Sequence, residues 1–266
     1  DSTVEAANLV NGETITAIAK PQPLAIFATR FGKAFAAIKS DGSVVTWGCR
    51  RSGGDSNSVG PSLAADVAQV AGTSRAFAAV KKDGSVVAWG SDQDGGECGS
   101  VCTSLAEGVV QVVGTYSAFA AVKATGSVVT WGDDSFGGDS GAVHALLAQN
   151  VVQVASTYSA FVAVKADGAA VTWGNPECGG DSGPVAALLA HGVVSVAATK
   201  CAFAAIKADG SVVTWGDVQC GGNCLRVQDS LAQGVIDVVG SSTGFAAIKE
   251  DGSVVTWGHA YAGGDS

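Results

Sequence analysis

"AIKSDGSVVTWG" stands at residues 37–48, "AIKADGSVVTWG" at 205–216 and "AIKEDGSVVTWG" at 247–258. Each is two apolar runs joined by Asp-Gly, the strongest short-range mark of a β-hairpin. Glycine tolerates the positive φ of such a turn, and a type I′ turn is expected. The hairpin is periodic. Trp47, Trp89, Trp131, Trp173, Trp215 and Trp257 recur every 42 residues, and Phe35, Phe77, Phe119, Phe161, Phe203 and Phe245 keep the same step. A fixed period of this size is the signature of stacked repeat units.

One unit reads as three strands. "VVQVVGT" (109–115) is strand A, "AFAAVK" (118–123) is B and "SVVTWG" (127–132) is C. Gly-Gly-Asp-Ser or a relative follows, and the period then changes. Val143 and Leu147 are four apart, as are Val59 and Leu63, Val101 and Leu105, Val185 and Leu189, and Val227 and Leu231. That spacing belongs to one face of a short helix. Ser or Asp stands in front as an N-cap, and Gly108, Asn150, Gly192 or Gly234 closes the end. Such a unit cannot bury its faces alone, so copies must stack. Ala-rich B strands allow close approach, and the Phe and Trp rings fill the wider gaps, each worth about 1.5–3 kcal/mol when buried.

The expectation is a mainly β protein, a β-propeller of six 42-residue repeats. Each repeat has a three-stranded antiparallel sheet and a short helical segment. Seven blades is the alternative if "TITAIA" (14–19) forms part of a further blade.

Composition narrows the function. Of 266 residues, 47% are hydrophobic and 15% charged, enough apolar material for a core. The net charge of −9 disfavours nucleic acid as a partner, because it lacks the counterion-releasing surface. No apolar run approaches the ~18 residues of a membrane span. There is no Met even at position 1, so the chain is expected either to begin after a removed segment, as in a processed organellar or secreted protein, or to be a piece of a longer product.

The repeat text, for example "FAAIKADGSVVTWGDVQCGG" at 203–222, resembles the regulator-of-chromosome-condensation family of β-propellers, over residues 24–262. The family usually shows Gly-Gln after the Trp-Gly strand and seven four-stranded blades; Gly-Gly-Asp-Ser and three strands stand here. A similar propeller serves a secreted β-lactamase inhibitor. The Gly-Gly-Asp-Ser flavour resembles repeat proteins of unicellular algae, often described as ubiquitin-ligase-like, and a plastid address would follow. "ANLVNGETITAIAKPQP" (7–23) resembles the closing strand of a ubiquitin-like domain with its linker. Residues 1–23 are therefore read as the remnant of such a domain and 24–266 as the propeller.

The copies differ in two stretches. One follows Trp-Gly: "CRRS" (49–52), "SDQD" (91–94), "DDSF" (133–136), "NPEC" (175–178), "DVQC" (217–220), "HAYA" (259–262). The other joins strands A and B: "RFGK" (30–33), then "TSR", "TYS", "TYS", "TKC" and "STG". Strand alternation puts both on one face, with the Asp-Gly turns on the other. Loops on a rigid scaffold carry binding residues, and aromatics and Arg are enriched at protein interfaces. The expected partner-binding set is Arg30, Phe31, Lys33, Arg50, Arg51, Arg75, Asp92, Asp94, Tyr116, Asp133, Asp134, Phe136, Tyr158 and Tyr261. On the opposite face Lys39, Lys81, Lys123, Lys165, Lys207 and Lys249 are expected as solvated Lys–Asp pairs in preference to an anion site.

Seven cysteines leave at least one unpaired. Cys98 and Cys102, and Cys220 and Cys224, are each four apart and are candidate local disulfides, with reduced thiols the simpler state. Zinc wants four clustered ligands, and these pairs lie three units apart. Cys178 and Cys220 share a phase and form a second candidate bridge; Cys49 and Cys201 look single. His144, His191 and His259 share no phase, and no catalytic triad or phosphate loop is present. No cofactor and no enzymatic activity are expected. The expected role is a scaffold or peripheral subunit that binds one or more proteins, including a large complex. The alternatives are an enzyme inhibitor or regulator and, from the family resemblance, a guanine-nucleotide-exchange-like propeller.

Overall fold

In the computed structural model, residues 25–28 and 32–264 are described; the readings that fall on residues 1–23, and on Arg30 and Phe31, lie outside them. Six three-stranded antiparallel sheets follow one another as the blades of a β-propeller. Blade one is Ala25–Ala28, Ala34–Ile38 and Val44–Gly48; blade two is Val67–Gly72, Ala76–Lys81 and Val86–Gly90; blade three is Val109–Gly114, Ala118–Lys123 and Val128–Gly132. Blade four is Val151–Ser156, Ala160–Lys165 and Ala170–Gly174; blade five is Val193–Ala198, Ala202–Lys207 and Val212–Gly216; blade six is Val235–Gly240, Gly244–Lys249 and Val254–Gly258. Strands are named A, B and C in that order.

The strongest pairing signal sits on strands B and C. Phe77 stands directly opposite Trp89, and the same register recurs in every blade. The two rings stack at 5.1–5.4 Å between centroids, a cross-strand aromatic pair of the kind that stabilises a sheet.

The Asp-Gly turn differs from expectation. Gly42 has φ 78° but Asp41 does not have a positive φ, and the Gly42 amide donates to the Lys39 carbonyl (2.9 Å) while the Lys39 amide donates to Ser43 (2.8 Å). This is a three-residue loop with glycine in the left-handed position, because type I′ would demand positive φ at two central residues. The Asp has a separate task. Asp41 Oδ1 accepts from the Ser43 amide (2.9 Å) and hydroxyl (2.6 Å), and Asp83, Asp209 and Asp251 do the same for Ser85, Ser211 and Ser253.

These hydrogen bonds, the Ser hydroxyl first, hold the four carboxyls below the usual Asp value. A folded pKa below the unfolded one means stability that is present above the ordinary Asp pKa and lost as pH falls through the lowered value. Ser211→Ala is therefore expected to move the Asp209 titration back up toward the ordinary range, read by NMR. An unmoved midpoint would refute the assignment of the hydroxyl as the main cause.

The helical segment is mostly 3₁₀. Gly99–Val101, Gly141–Val143, Gly183–Val185, Leu225–Val227 and Asn57–Leu63 are 3₁₀ turns, and among the described residues only Ala186–Leu189 is α-helical. Two turns are too short for an α-helix to propagate. Asp139 Oδ1 accepts from the Gly141 amide (2.7 Å) at the start. Gly108, Asn150, Gly192 and Gly234 close the ends with φ of 65–74°, and Asp66 does so in the first segment with φ 62°. Each segment inserts a leucine. Leu63, Leu105, Leu147, Leu189 and Leu231 are buried, and the carbonyls of Leu105, Leu147 and Leu231 accept from strand C of the preceding blade.

Stacking produces five hydrophobic seams among the described residues, each joining consecutive blades. At each, the indole of the later blade donates to the first Gly of the earlier Gly-Gly pair: Trp89 to Gly53, Trp131 to Gly95, Trp173 to Gly137, Trp215 to Gly179 and Trp257 to Gly221, at 3.0–3.1 Å. Ten of the twelve expected rings are buried. The exceptions are Phe35 and Trp47 of blade one, 42% and 43% exposed, because no earlier blade stands against them among the described residues.

The Lys ring is also differently employed. Lys39 pairs with Asp41 (3.7 Å). Lys123 and Lys249 instead donate to the carbonyls of Ser104 and Ser230 (2.7 Å), and Lys207 donates to that of Leu188. A cation on the last carbonyls of a helical turn satisfies groups that lack an internal donor.

Candidate protein-binding face

The loops that vary are held by main chain and by one constant side chain. The Ser74 amide donates to the Tyr116 carbonyl, Tyr116 to Tyr158, Tyr158 to Lys200 and Lys200 to Ser242, at 2.7–2.9 Å. A relay of backbone bonds thus crosses the A–B loops from blade two to blade six. Thr73, Thr115, Thr157 and Thr199 lie just before these positions. Each hydroxyl donates to the carbonyl of Asp94, Phe136, Cys178 or Cys220 in the turn after strand C (2.9–3.0 Å) and accepts from its own B-strand amide. Both variable stretches are therefore on one face, as strand alternation requires. The backbone relay fixes the course of these loops whichever side chain stands at 116, 158, 200 or 242, while the buried Ser74 hydroxyl is itself held, by Asp94.

Two features occupy that face. The first is a cavity of about 710 Å³ between blades one and two, whose lining includes Lys33, Arg51, Arg75, Asp92, Tyr116 and Cys49. Three cations converge there on a chain that is acidic overall. The Cys49 thiol is held below its usual value, chiefly by the Ser52 hydroxyl and then by backbone amides. The second is an aromatic ridge. The rings of Tyr116 and Tyr158 lie 4.6 Å apart, and Phe136 is 5.6 and 5.7 Å from them. Burial, and then Tyr116, raises the Tyr158 hydroxyl pKa. Lys200 Nζ sits 5.4 Å over the Tyr158 ring, within cation–π range. Tyr116 belongs to both features and joins them.

Other expected contact residues are placed differently. Asp94 is buried; its Oδ1 accepts from Ser74 (3.1 Å) and Ser117 (2.7 Å) and its Oδ2 from Ser91 (2.6 Å). It braces the loops of blades two and three and presents no free carboxylate. Asp133 caps its own 3₁₀ turn by accepting from the Ser135 amide (2.8 Å). Arg50 pairs with Asp55 (2.8 Å). Asp134 is exposed beside the ridge, and Tyr261 is 98% exposed at the far end, near the His259 ring. Lys200 was not singled out by the sequence, although it stands at the Tyr116 and Tyr158 phase.

Of the cysteines, Cys98 and Cys102 form a disulfide. Cys220 and Cys224 are free thiols: Cys220 is buried among the seam residues while Cys224 lies at its edge. Burial, and then Asp217, raises the Cys220 pKa. Cys178 bonds Cys201, read from sequence as single, and not Cys220. The two join because the turn after strand C of blade four meets the A–B loop of blade five. Among the described residues no three metal-ligating side chains cluster, and no helix is long and apolar enough to cross a membrane.

No known family's sequence model matches the chain, and no curated protein does. Solved structures do. Human WBSCR16 superposes with a TM-score of 0.55 at 15% identity, over 90% of this chain and 77% of that one. Yeast RCC1 (Prp20), solved bound to Kap60, gives 0.53 at 18% identity over 88% and 69%. The structure of Prp20p from Saccharomyces cerevisiae, described with its binding to Gsp1p and histones, gives 0.52 at 17% over 88% and 71%. The chain therefore has the fold of an RCC1-like β-propeller.

Proposed function

We propose that this protein is a non-catalytic interaction module that docks on other proteins through the variable loop face. The observation that carries the reading is the convergence of Lys33, Arg51, Arg75 and Tyr116 on one cavity, beside the Tyr116–Phe136–Tyr158 ridge, on loops whose backbones are fixed independently. Preformed loops lose little freedom on binding, which favours affinity. The pocket suits an acidic segment and the ridge an apolar or aromatic anchor, the usual division between charged recognition and hot-spot burial. Yeast RCC1, of like fold, was solved in complex with a protein, which is consistent with this use.

The test is affinity capture from a native extract with the intact chain, beside Arg51→Glu/Arg75→Glu and, as control, Arg50→Glu. The expected result is a partner whose retention falls at least about tenfold with the double reversal, roughly 1.4 kcal/mol or more. It should survive Arg50→Glu, since Arg50 is engaged with Asp55. A partner list indifferent to the double reversal would remove this face from consideration.

A further inference from the structure

The two ends of the blade row are unlike its middle. Each internal seam is made from two faces. The later blade contributes its Phe, its Trp and a strand A valine, and the earlier blade contributes alternate residues of strands B and C. At the first seam Phe77, Trp89 and Val70 pack on Ala34, Ala36, Ile38 and Val44. At the fifth, Phe245, Trp257 and Val238 pack on Ala202, Ala204, Ile206 and Val212.

Blade one carries a leading face of this same kind. Ile26 stands opposite Ala37 as Val70 stands opposite Ala79, and Phe35 opposite Trp47 as Phe77 opposite Trp89. Yet Ile26, Phe35, Val45 and Trp47 are 42–60% exposed, where Val70, Phe77 and Trp89 are at most 3%. Blade six carries the matching trailing face, with Ile248 and Val254 46% and 57% exposed, where Ile206 and Val128 are 6% and 5%. Glycine surroundings agree. A Cβ on Gly84, Gly126, Gly168 or Gly210 would strike the backbone leading into the next unit, whereas one on Gly252 would meet nothing within 4 Å.

We infer that the trailing face of blade six in one copy docks on the leading face of blade one in a second copy, head to tail. The two surfaces are the halves of a joint that the chain already makes five times with the same residue types. The partner that fits a Phe–Trp face of this shape is therefore another unit of this repeat, and blade six supplies one. In a single copy Phe35 and Trp47 on one side and Ile248 and Val254 on the other are exposed together, so neither end satisfies the other. Covering them removes apolar area from water, the general drive for association. The joint is heterologous, so each copy added leaves a new free face until a ring closes. The blade ends are separate from the loop face, and Arg51→Glu/Arg75→Glu should leave this association unchanged.

Sedimentation equilibrium on the full 266-residue chain tests it, with Val45→Lys to block the leading face and Val254→Glu to block the trailing one. Both positions are exposed, so folding should persist, as circular dichroism would verify. The wild type is expected to gain mass with concentration to at least two chains. Each variant alone should remain one chain, and an equimolar mixture should stop at two, because one variant keeps a free tail and the other a free head. A wild type of constant single-chain mass would overturn the inference. So would variants that assemble alone, or a mixture that stays monomeric.

Discussion

Trp131→Ala is expected to destabilise the protein by about 3–5 kcal/mol, the range for deleting a fully buried large ring. The indole is buried, stacks on Phe119 at 5.1 Å and donates to Gly95 across the seam at 3.0 Å, so its loss also leaves a buried carbonyl without its donor. In a chain this size that is roughly a 10 °C fall in melting temperature. Units that touch only their neighbours lose cooperativity when one interface weakens, so urea denaturation should broaden or split into two steps. Trp47→Ala occupies the same repeat position with 43% of its surface exposed and, measured at dilution where the chain is single, should cost no more than about 1 kcal/mol. Equal losses at the two positions would contradict the seam assignment.

Gly137→Ala should produce the second largest effect. This glycine has φ +92°, and a Cβ there would lie 2.7 Å from the Phe161 ring. The left-handed conformation alone costs about 1–2 kcal/mol, and forcing the ring aside adds about 1–3 kcal/mol. Gly263 is its counterpart in the last unit, with φ +85° and nothing within 4 Å of its Cβ position. Gly263→Ala should therefore show the conformational term alone. Chemical denaturation of the pair separates strain in the turn from the close approach of the next blade. If both lose the same amount, the Gly-Gly pair is conserved in every unit for its turn and not for admitting the neighbouring ring.

The architecture was legible because it is written six times. A single copy of "SVVTWG" cannot say which face of strand C is buried, but six tryptophans in phase require a common environment. What the repeat could not reveal is where it stops mattering. Trp47 and Trp215 stand in identical text, SVVTWG, and only the position of blade one at the end of the row exposes the first. The loop face was likewise legible from strand alternation. The roles of its charges were not. Asp94 and Asp92 are two residues apart in one variable stretch, yet Asp94 turns inward to three serine hydroxyls and Asp92 lines the open pocket. Cys178 and Cys201 were missed because their bond joins different phases of adjacent units, a pairing that periodicity hides.

The unequal burial of the indoles gives the molecule an intrinsic optical probe. Five of the six are sealed in seams, so a small aqueous quencher should reach chiefly Trp47, and the red-shifted part of the emission belongs to it. Any molecule that lands on that end of the row should protect this one fluorophore and shift its spectrum to the blue, with no label attached.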